Sequence, residues 1–232
     1  MKKLIELEWK KLEQGKVFGE LMFYIIIVMF CPVFFLEVVF TEIPNVGFAQ
    51  SYADAMPLMI SIQMGYVLFG ASLINHVFIE EYKNKTMSLS FGYPISRKKL
   101  VMAKVLFIFL SVFFWTLISF VLSGITTYVI DLFFDVIQGQ PTVSDVLMYA
   151  AKMFLYSPMI ALVSLIPLFL FGIWKRMVIP AVVSAIVLMN VPTFASIIQI
   201  SLSMDVLYAL LSLVGVFSVY LSVKMINQVG DI

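Results

Sequence analysis

The chain has 232 residues, 62% of them apolar and 12% charged, with a formal net charge of +1. Soluble domains carry about a quarter charged residues, and one of this length could not hide so much apolar surface, so the solvent for most of the chain must be lipid. The near-zero net charge by itself says nothing about nucleic acid, and no nucleic-acid partner is expected; a single cysteine, Cys31, excludes both an intrachain disulfide framework and a cysteine metal site.

Crossing about 30 Å of hydrocarbon takes roughly 20 residues of helix. Six apolar runs qualify, at 21–40, 57–79, 101–130, 147–171, 177–199 and 206–224. Strand-like alternation is missing, so a β-barrel is excluded and an all-α bundle of six membrane helices is expected over 20–232. Fourteen of the fifteen Lys and Arg residues fall in, or at the run ends beside, the segments before the first run, between the second and third, between the fourth and fifth, and after the sixth. The alternate connections hold Glu42, Asp54, Asp131, Asp135, Asp145 and Asp205 instead, and only Lys152 breaks the pattern. The positive-inside rule then puts both termini of this multi-pass membrane protein in the cytoplasm.

Residues 1–19 read as an amphipathic helix lying in the cytoplasmic interface. Ile5, Trp9 and Leu12 recur at helical spacing beside Leu4, and Glu6 and Lys10 form an i,i+4 pair on the polar flank. Trp9 suits the headgroup level, and the segment's excess of lysine suits an anionic leaflet. The first apolar run contains Pro32, which predicts a kink, and Glu37 near its outer end.

The second and third runs are joined by Glu80-Glu81-Tyr82-Lys83-Asn84-Lys85-Thr86-Met87-Ser88-Leu89-Ser90-Phe91-Gly92-Tyr93-Pro94-Ile95-Ser96-Arg97, the one long polar connection on the basic side. Asn84 or Thr86 can start a short helix, and Gly92 followed by Pro94 can stop it. Met87, Leu89 and Phe91 make that helix partly apolar, and Ser96 can cap the helix that follows. One reading is a stiff element suited to a groove on a partner; the other is a basic loop whose Met, Leu and Phe dip into the bilayer. An acidic-Tyr-basic start, Lys-Thr, a small apolar helix, Pro-Ile-Ser-Arg and then Lys104 resemble the ABC-2 type permeases, among them the small bacterial permeases of bacitracin resistance, lantibiotic immunity and peptide export. The resemblance is carried by Glu81, Tyr82, Lys85, Thr86, Pro94, Ser96, Arg97 and Lys104. It implies that the loop holds a coupling helix contacting ABC ATPase subunits, with Met87, Leu89 and Phe91 as the apolar key and Lys85 and Arg97 as polar contacts. It also implies a second permease, identical or related, and a hydrophobic or amphipathic peptide or antibiotic-like cargo.

The third run is expected to start in the cytoplasm, given Lys98, Lys99 and Lys104, and to end before Asp131. Pro158 and Pro167 predict bends in the fourth. In the fifth, Asn190-Val191-Pro192 leaves two possibilities: a kink with continuation to about 200, or a re-entrant helix over 193–203. Gln63, Asn75, Asn190 and Gln199 either line a path or hydrogen-bond between helices.

No Gly-x-x-x-x-Gly-Lys-Ser/Thr phosphate loop is present, so no cofactor is expected in this chain, and ATP and Mg would belong to the partner. His76 and Glu80 share one helix face but do not make a His-Glu-x-x-His zinc site, so no metal and no catalytic residue is expected. The function that the resemblance implies is the transmembrane subunit of an ATP-driven exporter. Its rival is a channel or ion-coupled carrier working without ATP, which would need ionisable residues near mid-membrane, scarce here.

Overall fold

The computed structural model describes residues 2–12, 14–39, 51–86, 96–137, 139–197 and 203–229; no strand occurs among them. Among these residues six helices are long and apolar enough to cross a membrane: Gly15–Glu37, Tyr52–Lys83, Arg97–Phe134, Val143–Trp174, Val178–Ala195 and Met204–Ile226, spans one to six. A separate N-terminal helix, Lys2–Lys11, precedes them. The next helix resumes at Gln14, so residues 14–19 form the first turns of span one rather than a continuation of the N-terminal helix. Ile5, Trp9 and Leu12 pack against the bundle core, while Glu6 and Lys10 pair at 2.9 Å on the exposed flank.

Spans two, three and four overrun the apolar stretches at both ends because helix ends are set by caps, not by hydropathy. Ser51 starts span two by accepting a hydrogen bond from Asp54 N at 3.2 Å. At the start of span four, Thr142 accepts from Asp145 N and Asp145 accepts from Thr142 N, a reciprocal capping box. Span three runs past Asp131 to Phe134, although the sequence suggested an earlier end. Asp131 is buried there: it accepts from the Tyr52 hydroxyl and, at 2.7 Å, from Ile137 N, which ties the end of span three to the start of span two. Asp135 closes the helix in the left-handed conformation, φ 49°.

Spans two and four are the most buried and both are interrupted. Span two has a tight turn at Met64–Gly65 and a π-helical stretch over Asn75–Ile79; span four has a turn at Ser164–Leu165 and a π-helical stretch over Leu168–Trp174. Pro167 explains the second interruption, since it lacks the N–H that would continue the ladder. Where backbone bonds are disturbed inside a membrane, a neighbour must meet them. Ser218 of span six does so: its hydroxyl lies 3.0 Å from the carbonyls of Leu165 and Ile166 and accepts from Phe169 N at 3.3 Å. Ser218→Ala removes these contacts and is expected to lower unfolding stability by about 1 kcal/mol, measurable by denaturant titration in mixed micelles; an unchanged midpoint would mean that water or the backbone itself fills the role.

Span five is one helix through Pro192 as far as Ile197, so up to that residue the chain follows the continuing alternative; 198–202 lie outside the described residues. The polar residues inside the spans mostly serve helices. Gln63 donates to Ser123 at 3.1 Å across spans two and three, and Asn190 donates to the Ile186 carbonyl at 2.8 Å in its own helix. Gln199 falls outside the description.

Candidate functional site

Most Lys and Arg residues gather at one end of the bundle, and there span two emerges as Glu80-Glu81-Tyr82-Lys83. Four other elements hold this short stem. Lys104 of span three is fully buried, 0% exposed, and its ammonium donates to Glu81 Oε1 at 2.8 Å, Glu8 Oε2 at 2.7 Å and the Val77 carbonyl at 3.1 Å. All three of its N–H donors are thereby used. Lys11 lies 3.4 Å from Glu8 and 3.7 Å from Glu81, so the N-terminal helix supplies both an acid and a base to the cluster. Trp9 anchors that helix by ring contacts to Phe18 and Phe107, at 5.6 and 6.1 Å.

On the other side Arg176, between spans four and five, lays its guanidinium over the Tyr82 ring at 4.1 Å, a distance at which the attraction to the ring face is strong. Arg176 adopts a left-handed conformation, φ 53°, and its Nε donates to the Ile173 carbonyl at 3.3 Å. Arg97, half-buried at the start of span three, is also within electrostatic reach of Tyr82. Span one adds the last tie. His76 faces Glu80 through Nδ1 at 3.1 Å and Glu20 through Nε2 at 3.4 Å; Asn75 donates to Glu80 at 3.1 Å and Ser72 to Glu20.

Of the residues the sequence singles out, the structure brings Glu81, Tyr82, Arg97 and the Ile5-Trp9-Leu12 face to this end of the bundle. Asn84 ends the span-two helix, its N–H donating to the Glu80 carbonyl, instead of starting a new one. Lys85 is exposed and left-handed at φ 58°, and the exposed Thr86 hydroxyl donates to the Glu81 carbonyl at 3.2 Å. Ser96 precedes span three, but its backbone carbonyl, not its side chain, takes the first hydrogen bonds. Met87, Leu89, Phe91 and Pro94, and with them any coupling helix, lie outside the described residues.

The roles of Glu8, Lys11, Lys104 and Arg176 were not foreseen. A signal for two of them exists: Glu8 sits on the Leu4–Glu8–Leu12 stripe, and Lys104 on the Leu100–Lys104–Ile108 stripe. A charge four residues from apolar neighbours on either side points where they point.

Among the described residues no three His, Cys, Asp or Glu side chains converge as metal ligands. The sequence pattern of the ABC-2 family transporter proteins matches residues 4–192, most of the chain. The chain belongs to the ABC-2 transporter family. This ABC-2 protein is also 30% identical over 226 residues to the uncharacterized protein YcbO of Bacillus subtilis (strain 168), covering 95% of this chain and 96% of that one. No solved structure matches it. ABC-2 proteins are membrane transporter components whose ATP is hydrolysed by a separate ATPase. That assigns this six-span protein to membrane transport.

Proposed function

We propose that this chain is the permease subunit of an ATP-driven exporter of the bacterial cytoplasmic membrane, with both termini cytoplasmic and residues 80–97 as the point where an ABC ATPase applies force. Two such subunits, identical or related, enclose the path above two ATPases that hold ATP and Mg. The cargo is a hydrophobic or amphipathic peptide or antibiotic-like molecule. The observation that carries this reading is the clamped stem: Glu81 and Tyr82 are held by Lys104, Lys11 and Arg176, three residues on three other elements. A load on the loop therefore reaches span three, the N-terminal helix and the connection between spans four and five at once. A floppy stem would dissipate it; a bundle switching between discrete packings needs stiff contacts.

In this reading Met87, Leu89 and Phe91 fill a groove on the ATPase, and Lys85, Thr86, Pro94 and Arg97 frame it. The N-terminal helix supports the stem through Glu8 and rests against the headgroups with its polar flank. The test is co-purification of the chain with a candidate ABC ATPase, sought first in the neighbouring gene, comparing wild type with Phe91→Asp and Arg97→Glu. Each variant is expected to insert normally and to lose at least about tenfold in ATPase affinity, the scale of an interface hot spot, or to hydrolyse ATP without transport. Normal assembly and normal transport by both variants would end the docking reading. Solute movement by the purified chain alone in liposomes would end the ATPase-driven one.

A further inference from the structure

At the acidic end, opposite the clamped stem, a cavity of about 530 Å³ opens between the start of span two, the end of span three and the start of span four. Its walls are apolar, with Met56, Met59, Ile125, Val146, Tyr149 and Met153 among them. Ligand cavities typically measure about 300–1,000 Å³, so one tail of a small amphiphile fits. The floor is fixed: Tyr149 donates its hydroxyl to the Phe120 carbonyl at 2.7 Å, and its ring rests on Gly124, where a Cβ would come within 3.0 Å of it. Methionines from two spans leave the walls adaptable in shape.

Two features restrict the occupant. Ile125, Tyr128 and Val146 line the cavity and are also exposed on the outside of the bundle, so it opens sideways, on a flank that would adjoin lipid in a membrane. A ligand reaches it from within the membrane. The mouth carries Asp145, held in place by its capping partner Thr142, and Asp54 and Asp135 are exposed at the same end. The one basic residue that the sequence places at this end, Lys152, does not line the cavity. A phospholipid would bring its phosphate against this acidic mouth; a cationic head would be drawn to it.

We propose that this cavity binds the apolar tail of a cationic amphiphile taken from the outer leaflet, with the ammonium head beside Asp145. That the leaflet is the outer one and the ligand a cargo rests on the exporter reading above; the binding itself does not. Full-length protein in nanodiscs of zwitterionic lipid, without ATPase or nucleotide, is exposed to a diazirine-bearing alkylammonium and to the alkyl carboxylate of equal length. Labelled residues are then mapped by mass spectrometry.

The ammonium probe is expected to label the Met56–Met59 and Tyr149–Met153 segments saturably, and the carboxylate about fivefold less, the effect of one favourable charge contact exchanged for an unfavourable one. Asp145→Asn is expected to bring the two probes close together. Ala150→Trp, which fills the cavity, is expected to abolish labelling by both while span-one labelling from bulk lipid persists. Equal labelling of wild type by both probes would make this a lipid-tail site and overturn the proposal. Crosslinks between two copies at these segments, replacing probe labelling, would make it a subunit interface and also overturn it. Because no ATPase is present, a failure of the docking reading leaves this outcome untouched.

Discussion

Lys104→Met is expected to destabilise the protein by about 3–5 kcal/mol, the usual result of removing one partner from a buried ion pair. The reason is what remains. Glu8 and Glu81 have side chains only 4% and 14% exposed, and without the ammonium between them two carboxylates face each other, with the half-exposed Lys11 3.4 and 3.7 Å away. Thermal unfolding in detergent, followed by size-exclusion chromatography, reads this directly. A shift no larger than that of an exposed substitution such as Lys99→Met would show that the cluster is wet and weak.

The same network separates stability from coupling. The triple variant Glu8→Gln, Lys104→Met, Glu81→Gln replaces the charges by neutral groups of similar volume and is expected to recover most of the lost stability, as neutral replacements of buried ion pairs often do. It does not recover the charged grip of span three and the N-terminal helix on the stem of the loop. Under the proposed function it therefore assembles with the ATPase but hydrolyses ATP with reduced transport. Full recovery of both stability and transport would reduce the network to a folding device and remove the observation on which the coupling reading stands.

The second large effect is expected at the other end of the packing chain. A Cβ on Gly215 would lie 2.0 Å from the Leu162 carbonyl oxygen and 2.7 Å from its carbon, both backbone atoms that no rotamer change can move aside. Gly215→Ala must part spans four and six by on the order of 1 Å to restore ordinary contact. Ser218, one turn along on the same face of span six, would then lose reach to the carbonyls of Leu165 and Ile166. Overpacking of this kind costs about 1–3 kcal/mol, occasionally more, and the lost hydrogen bonds place Gly215→Ala at the upper end. Gly19→Ala is the control: a Cβ there meets nothing within 4 Å, and its unfolding midpoint is expected to stay at or slightly above wild type, by the gain of up to about 1 kcal/mol that alanine brings to a helix interior. Equal behaviour of the two variants would show that the glycine is not needed for close approach.

Much of the architecture was legible because lipid imposes a coarse rule. A backbone without water must form helices, and a helix must be about 20 residues long to cross, so six apolar runs gave six spans. Their ends were legible less well, because caps such as Ser51 and the Thr142–Asp145 box are local polar events that hydropathy averages away. Asp131 shows the limit: counted as a solvent residue on sequence grounds, it is buried because Tyr52, 79 residues away, meets its carboxylate. The interruption of span four was signalled by Pro167, yet that Ser218 would repair it could not be read without knowing that span six lies there.

The sequence by itself determined that this protein lives in lipid, how many times it crosses, which ends carry the positive charge and which loop is long enough to meet a partner. These follow from composition and one-dimensional spacing, to which the bilayer responds residue by residue. Tertiary structure alone decided that Lys104 is the hub of a buried cluster and that Arg176 covers Tyr82. It alone placed an apolar cavity under an acidic mouth at the far end. Those depend on which helices become neighbours, and a charge is stabilised in lipid only by the partner that packing brings within about 3 Å of it.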